Sequence, residues 1–127
     1  MKECVIILAV IILVTITSIW SEKYLEKTSN SLISELDELK NLLQDEREAD
    51  AQSLLAQNIY TKWQDLRNNW SLLTTHEELD TIELSILGMK AGIEKESNDT
   101  ALTELEKSKF LIGHIKEKEN FKLKNIF

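Results

Sequence analysis

Apolar residues return along this chain in four stripes with a period of about 3.5, the spacing that lines one face of a packed helix. The first stripe holds Leu25, Leu32, Leu36, Leu39 and Leu43, with Ser29 at a small position and Ile33 and Leu42 widening it. A charged stretch, Asp45-Glu46-Arg47-Glu48-Ala49-Asp50, interrupts it. The second stripe is Leu55, Ile59, Trp63, Leu66, Trp70 and Leu73; the third is Leu79, Ile82, Ile86, Met89 and Ile93. After the polar break Glu96-Ser97-Asn98-Asp99, the fourth carries Ala101, Leu105, Ser108, Ile112 and Ile115, flanked by Leu102 and Leu111. Ahead of all four stands a run of different character, Cys4 to Ser21, in which 18 consecutive residues carry no charge. The pattern therefore predicts an all-α chain, in which an N-terminal transmembrane helix precedes an antiparallel up-down bundle of about four helices.

Local signals agree with those boundaries. Proline is absent and the only glycines are Gly88, Gly92 and Gly113, so few residues interrupt helices. Thr75 with Glu78, or Thr74 with Glu77, has capping-box spacing at the start of the third helix. The first bundle helix is expected to continue from the transmembrane one, since nothing between Trp20 and Leu25 breaks it. The expected division is a signal anchor over residues 1–21, a bundle over 22–115 and a basic amphipathic tail over 116–127.

As a helix, Cys4 to Ser21 extends roughly 27 Å, close to the hydrocarbon thickness of a bilayer. A cleaved signal would show a basic start, a shorter apolar core and small residues at the cut. Here Lys2 and Glu3 precede a long run that leaves through Ile19-Trp20, which favours an uncleaved anchor, with Trp20 and Tyr24 as interfacial aromatics. The short N-terminal tail and long C-terminal domain point to a single-pass cell-membrane protein with its domain outside the cytoplasm. Cys4 is the only cysteine, so the domain has no disulfide.

The first 20 residues hold one lysine and one glutamate, and the rest of the chain keeps the full net charge of −7. That sign argues against nucleic acid, or an anionic bilayer, as the main partner of the domain as a whole. The tail departs from it, interleaving four lysines with Phe121, Leu123, Ile126 and Phe127 against two glutamates. It is expected to lie on headgroups, to dock on a membrane protein, or to fold back over the bundle.

Up-down topology brings the end of the second helix, the start of the third and the end of the fourth to the membrane end. Trp70, His76, Glu77, Asp80, Glu83, Phe110 and His114 fall in or near those places and are the expected partner-binding set. His76, Asp80 and Glu83, at i, i+4 and i+7, share one flank and make, with His114, a weak candidate metal site. The Glu-x-x-His pairs of di-iron bundles are absent, and dipole complementation and capping account for the same residues, so no metal or other cofactor is expected. Histidine titration leaves a pH-responsive role open. There is no nucleophile elbow, Gly-rich phosphate loop or H-E-x-x-H, and no enzymatic activity is expected. Trp63 and Trp70, a heptad apart, read as core packing before ligand stacking. Phe110 falls opposite its stripe, as an exposed anchor for a partner or buried by a roll of the helix. The sequons Asn69-Trp70-Ser71 and Asn98-Asp99-Thr100 are short enough to arise by chance.

The N-terminal anchor, Trp63 and Trp70, His76-Glu77-Glu78-Leu79-Asp80-Thr81-Ile82-Glu83, Lys109-Phe110-Leu111-Ile112-Gly113-His114-Ile115 and the terminal Asn125-Ile126-Phe127 resemble a family of short single-pass membrane proteins from clostridia and other Firmicutes. It is known as domain of unknown function 4363. The resemblance covers nearly the whole chain and implies a bacterial membrane protein, with no catalytic residues to carry over. It also implies an accessory subunit to small multi-pass membrane proteins. Together these readings predict a membrane-anchored, non-enzymatic interaction protein, an accessory or scaffold partner of another membrane protein held to the bilayer by its first helix. The alternatives are an extracytoplasmic metal or pH sensor and a homo-oligomeric coiled-coil structural protein.

Overall fold

The computed structural model describes residues 1–45 and 48–126. Glu46, Arg47 and Phe127 lie outside the described residues, as do the side chains of Leu123, Asn125 and Ile126. Four helices make up the described chain: α1 (Lys2–Leu43), α2 (Ala49–Trp70), α3 (His76–Glu94) and α4 (Asn98–Ile126). Each packs on its neighbours in sequence, and α1 closes on α4, so the chain runs round a four-helix bundle without diagonal contact.

α1 is one helix of 42 residues, roughly 63 Å long at 1.5 Å per residue. Its two halves differ completely. From Leu25 onward it delivers Leu25, Ser29, Leu32, Leu36, Leu39 and Leu43 to the core in alternating steps of four and three. Before that, the most apolar 18-residue window is 0% buried, so this segment is no core helix of the fold. Three of its hydroxyls are satisfied within the helix: Thr15, Thr17 and Ser18 donate to carbonyl oxygens four residues earlier, each at 2.8 Å.

The third and fourth stripes are buried as their spacing predicts. The second differs at its start. Gln52 and Ala56 occupy core positions while Leu55 is half-buried beside them. Gln52 donates to Leu42 O at 2.7 Å and Asp45 O at 3.1 Å, a second hydrogen bond to carbonyls that also accept backbone N–H groups of the α1–α2 turn, and so ties α2 to the end of α1.

α4 runs on to Ile126 without interruption, so residues 116–126 are helical and continuous with the bundle helix before them. Register along the α1–α4 seam is regular: Lys40 pairs with Glu106 at 2.8 Å, Asp37 with Lys109 at 2.5 Å, and Asn30 accepts from Lys116 at 2.9 Å. Seven residues back along α1 match seven forward along α4. Continued, that register ends α4 level with Trp20, where the bare half of α1 begins.

The α3–α4 connection is tight. Glu96 N bonds Ile93 O at 3.1 Å and Ser97 N bonds Gly92 O at 2.8 Å, the double bond of a Schellman motif, with Glu96 left-handed at φ 57°. Gly92 permits the next helix to approach, because a Cβ there would lie 2.7 Å from Ala101 N.

Candidate functional site

The candidate residues gather at the end of the bundle nearest the bare half of α1, and that end is built by polar links between helices. Asn69 donates to the Tyr24 hydroxyl at 2.9 Å and Trp70 Nε1 to Thr28 Oγ1 at 3.1 Å, tying the last turn of α2 to α1. Trp70 is 0% exposed and meets Trp63 edge to face, with ring centroids 5.5 Å apart. The tryptophan pair is core, as its spacing predicts. Trp70 therefore offers no contact surface to a partner.

α3 begins with Thr75 as N-cap, its hydroxyl accepting from Glu78 N at 3.3 Å. The Thr75 backbone N–H in turn acts on the Glu78 carboxylate, the reciprocal half of a capping box. Glu78 also accepts from the Thr74 hydroxyl and, at 3.0 Å, from Lys118 of α4. The Thr74 hydrogen bond, with Lys118 behind it and partial burial opposing, holds the Glu78 carboxyl below its usual range. One carboxylate thus joins the α2–α3 loop, the first turn of α3 and the end of α4.

On the other flank of α3, Arg67 of α2 bonds Asp80 and reaches Glu83 at 3.0 Å. The Asp80 hydrogen bond raises the Arg67 pKa further, against desolvation. Arg67 stands in the last turn of α2, where a cation also suits the helix dipole.

These two seams separate residues that the sequence places together. Asp80 and Glu83 face α2 through Arg67. His114 instead lies across α3 from them, lining a groove of about 430 Å³ between α3 and α4 with Thr75, Glu77, Glu78, Thr81 and Lys118. His76, at the start of α3, is exposed and does not line that groove. Among the described residues no group of three or more His, Cys, Asp and Glu side chains is placed to hold a metal ion. The His76, Asp80, Glu83 and His114 set is thereby divided, because Asp80 and Glu83 are drawn to a cation on the far side of the helix.

What remains on the surface is Glu77, His76 and a ring pair on α4. Phe110 is 70% exposed and stacks on His114 one turn later, with centroids 6.0 Å apart and planes 14° from parallel. The sequence singled out Phe110 and read Glu78 as a capping residue, but passed over Arg67 and the pairing of Glu78 with Lys118. Arg67 was legible as the cation heading the polar flank of the second stripe; Glu78 with Lys118 required the register of α3 on α4.

This arrangement defines an all-α four-helix bundle carried on a long, exposed apolar helix. The chain matches the family described as a domain of unknown function (DUF4363) over residues 19–126 and belongs to it. The match spans all four helices of the bundle, including the last turns of α4. No curated protein and no solved structure matches the chain.

Proposed function

We propose that the protein is a single-pass, membrane-anchored, non-enzymatic interaction protein, an accessory or scaffold subunit of another membrane protein, with its bundle outside the cytoplasm. The observation that carries the anchor is the wholly exposed apolar half of α1, continuous with the half that forms the core. An apolar surface of that extent needs a nonaqueous environment, and hydroxyls already bonded to their own helix do not resist transfer into one.

The partner surface is the α3–α4 face around Phe110 and His114, with Glu77 beside it. An exposed aromatic stacked on a second ring presents a rigid contact at low entropic cost. Trp70, Asp80 and Glu83 serve this surface indirectly, by fixing α2 against α1 and α3. Two observations weigh against the homo-oligomeric and metal readings. The heptad stripes are consumed within one chain, which removes the argument for pairing between chains, and the metal reading lacks a converging ligand set among the described residues.

The test is purification of the full-length protein from its native membranes in mild detergent, beside Phe110→Ala. A stoichiometric membrane protein that is lost with Phe110→Ala supports the accessory role. Purification alone, or a partner retained by the variant at full yield, overturns this surface.

A further inference from the structure

The loop between α2 and α3 comes closest to the bare half of α1. Leu72 and Leu73 line a groove of about 410 Å³ with Thr17, Trp20, Ser21, Tyr24 and Asn69. Leu73 also lines a second groove of about 430 Å³ with Leu13, Val14 and Thr17. The loop therefore lies beside the last turns of the apolar run, where that run leaves through Trp20. Leu72, at its tip, is 85% exposed and packs on nothing in the core.

Composition distinguishes this loop from the connections at the opposite end. From Asn68 to Thr75 eight consecutive residues carry no charge. The α1–α2 connection has Asp45, Glu48 and Asp50, and the α3–α4 connection has Glu94, Lys95, Glu96 and Asp99. The connection that faces the apolar half of α1 is thus uncharged, whereas the two at the opposite end of the bundle are charged. Charged groups near the loop are paired at Glu78 with Lys118, Arg67 with Asp80 and Glu83, and Glu119 with Lys122, while Glu22 lines the second groove beside Leu73. At the same end of α4, Lys122 lines the second groove, and a long lysine stem allows its ammonium to stay in water above an apolar layer.

We infer that the α2–α3 loop is a second membrane contact, with Leu72 inserted into the lipid interface of the bilayer that α1 crosses. The occupant is lipid and not a protein groove, because this surface continues the span itself. Phe121, 66% exposed near the end of α4, lies on the same end of the bundle and adds apolar area there. The bundle then rests on the membrane at two points and holds one face, the Phe110 face, sideways along it.

This inference rests on the membrane anchor proposed above, and the experiment separates the two. Full-length protein with Cys4→Ser receives a single cysteine by Leu72→Cys, Leu54→Cys or Ile11→Cys. Each is labelled with an environment-sensitive fluorophore and reconstituted into phosphatidylcholine and phosphatidylglycerol vesicles. Leu54, 65% exposed on α2 near the charged end, reports water; Ile11 reports the span. Nitroxide lipids are expected to quench the Leu72 label, with a severalfold loss of quenching by aqueous iodide relative to Leu54. If Ile11 is quenched by lipid but Leu72 behaves as Leu54 does, the loop contact is overturned and the anchor stands. If Ile11 is not quenched by lipid, the anchor fails and takes the loop contact with it.

Discussion

The indole of Trp70 donates to Thr28 at 3.1 Å, whereas that of Trp63, one heptad earlier on the same stripe, is buried with no hydrogen-bond partner. The two rings touch, yet their polar atoms contribute with opposite sign. Replacing Trp70 by Phe removes a made bond and costs about 1 kcal/mol more than the same change at Trp63, where an unsatisfied N–H disappears. Trp70→Ala is expected to cost about 3–5 kcal/mol through the cavity it leaves. Chemical denaturation of the detergent-solubilised protein, followed by circular dichroism, measures all three.

The turn from α3 to α4 yields a pair of opposite expectations. Glu96 sits in a left-handed conformation that suits glycine, so Glu96→Gly is expected to stabilise the protein by about 1 kcal/mol. Four residues earlier, Gly92→Ala drives a methyl to 2.7 Å from Ala101 N, backbone that cannot swing aside, and is expected to cost about 1–3 kcal/mol. Thermal melting of the two variants beside the parent decides the signs.

Glu78 and Glu106 are both held below the usual carboxylate value of 4.5, by Thr74 and by Lys40 respectively. A depressed folded pKa contributes stability that is fully present above the unfolded value and lost as pH falls through the folded one. Stability is therefore expected to decline as pH is lowered through and below about 4.5. Glu78→Gln should be less stable at neutral pH and should show a shallower acid decline. Equal acid slopes for the variant and the parent would rule Glu78 out as a contributor.

Because Asp80 and Glu83 are committed to Arg67 while His114 lies across α3, divalent metal has no converging site among the described residues. Added zinc, or its removal by a chelator, is expected to leave the melting midpoint unchanged, as is the double change His76→Ala with His114→Ala. A zinc-dependent rise that disappears in the double variant would restore the sensor reading. Arg67→Met, in contrast, strands two carboxylates and should destabilise the protein by about 1 kcal/mol, more at low salt.

The helices were legible because their stripes repeat strictly. Leu25 to Leu43 and Ala101 to Ile115 alternate by four and three throughout, and each residue lies where that alternation predicts. Gln52 was not legible as a core residue, since its burial depends on hydrogen bonds to Leu42 O and Asp45 O that only the fold of the α1–α2 turn brings within reach. The candidate site failed for a related reason. Helical spacing places His76, Asp80 and Glu83 on one flank correctly, but cannot say that the flank faces Arg67 of α2 and not His114 of α4. That choice depends on which way round the bundle the chain is wound. Residues 116–126 read as a tail because their apolar pattern is sparse, although no breaker separates them from Ile115, and α4 continues through them.

α1 contains neither proline nor glycine and joins its two halves without a break. Such a rod transmits torsion. A twist applied to the segment before Trp20 must reappear in the stripe from Leu25 to Leu43, and through it in the azimuth of Phe110 on the adjoining α4. A neighbour that grips the slender half thereby chooses the compass bearing of the other, without touching it.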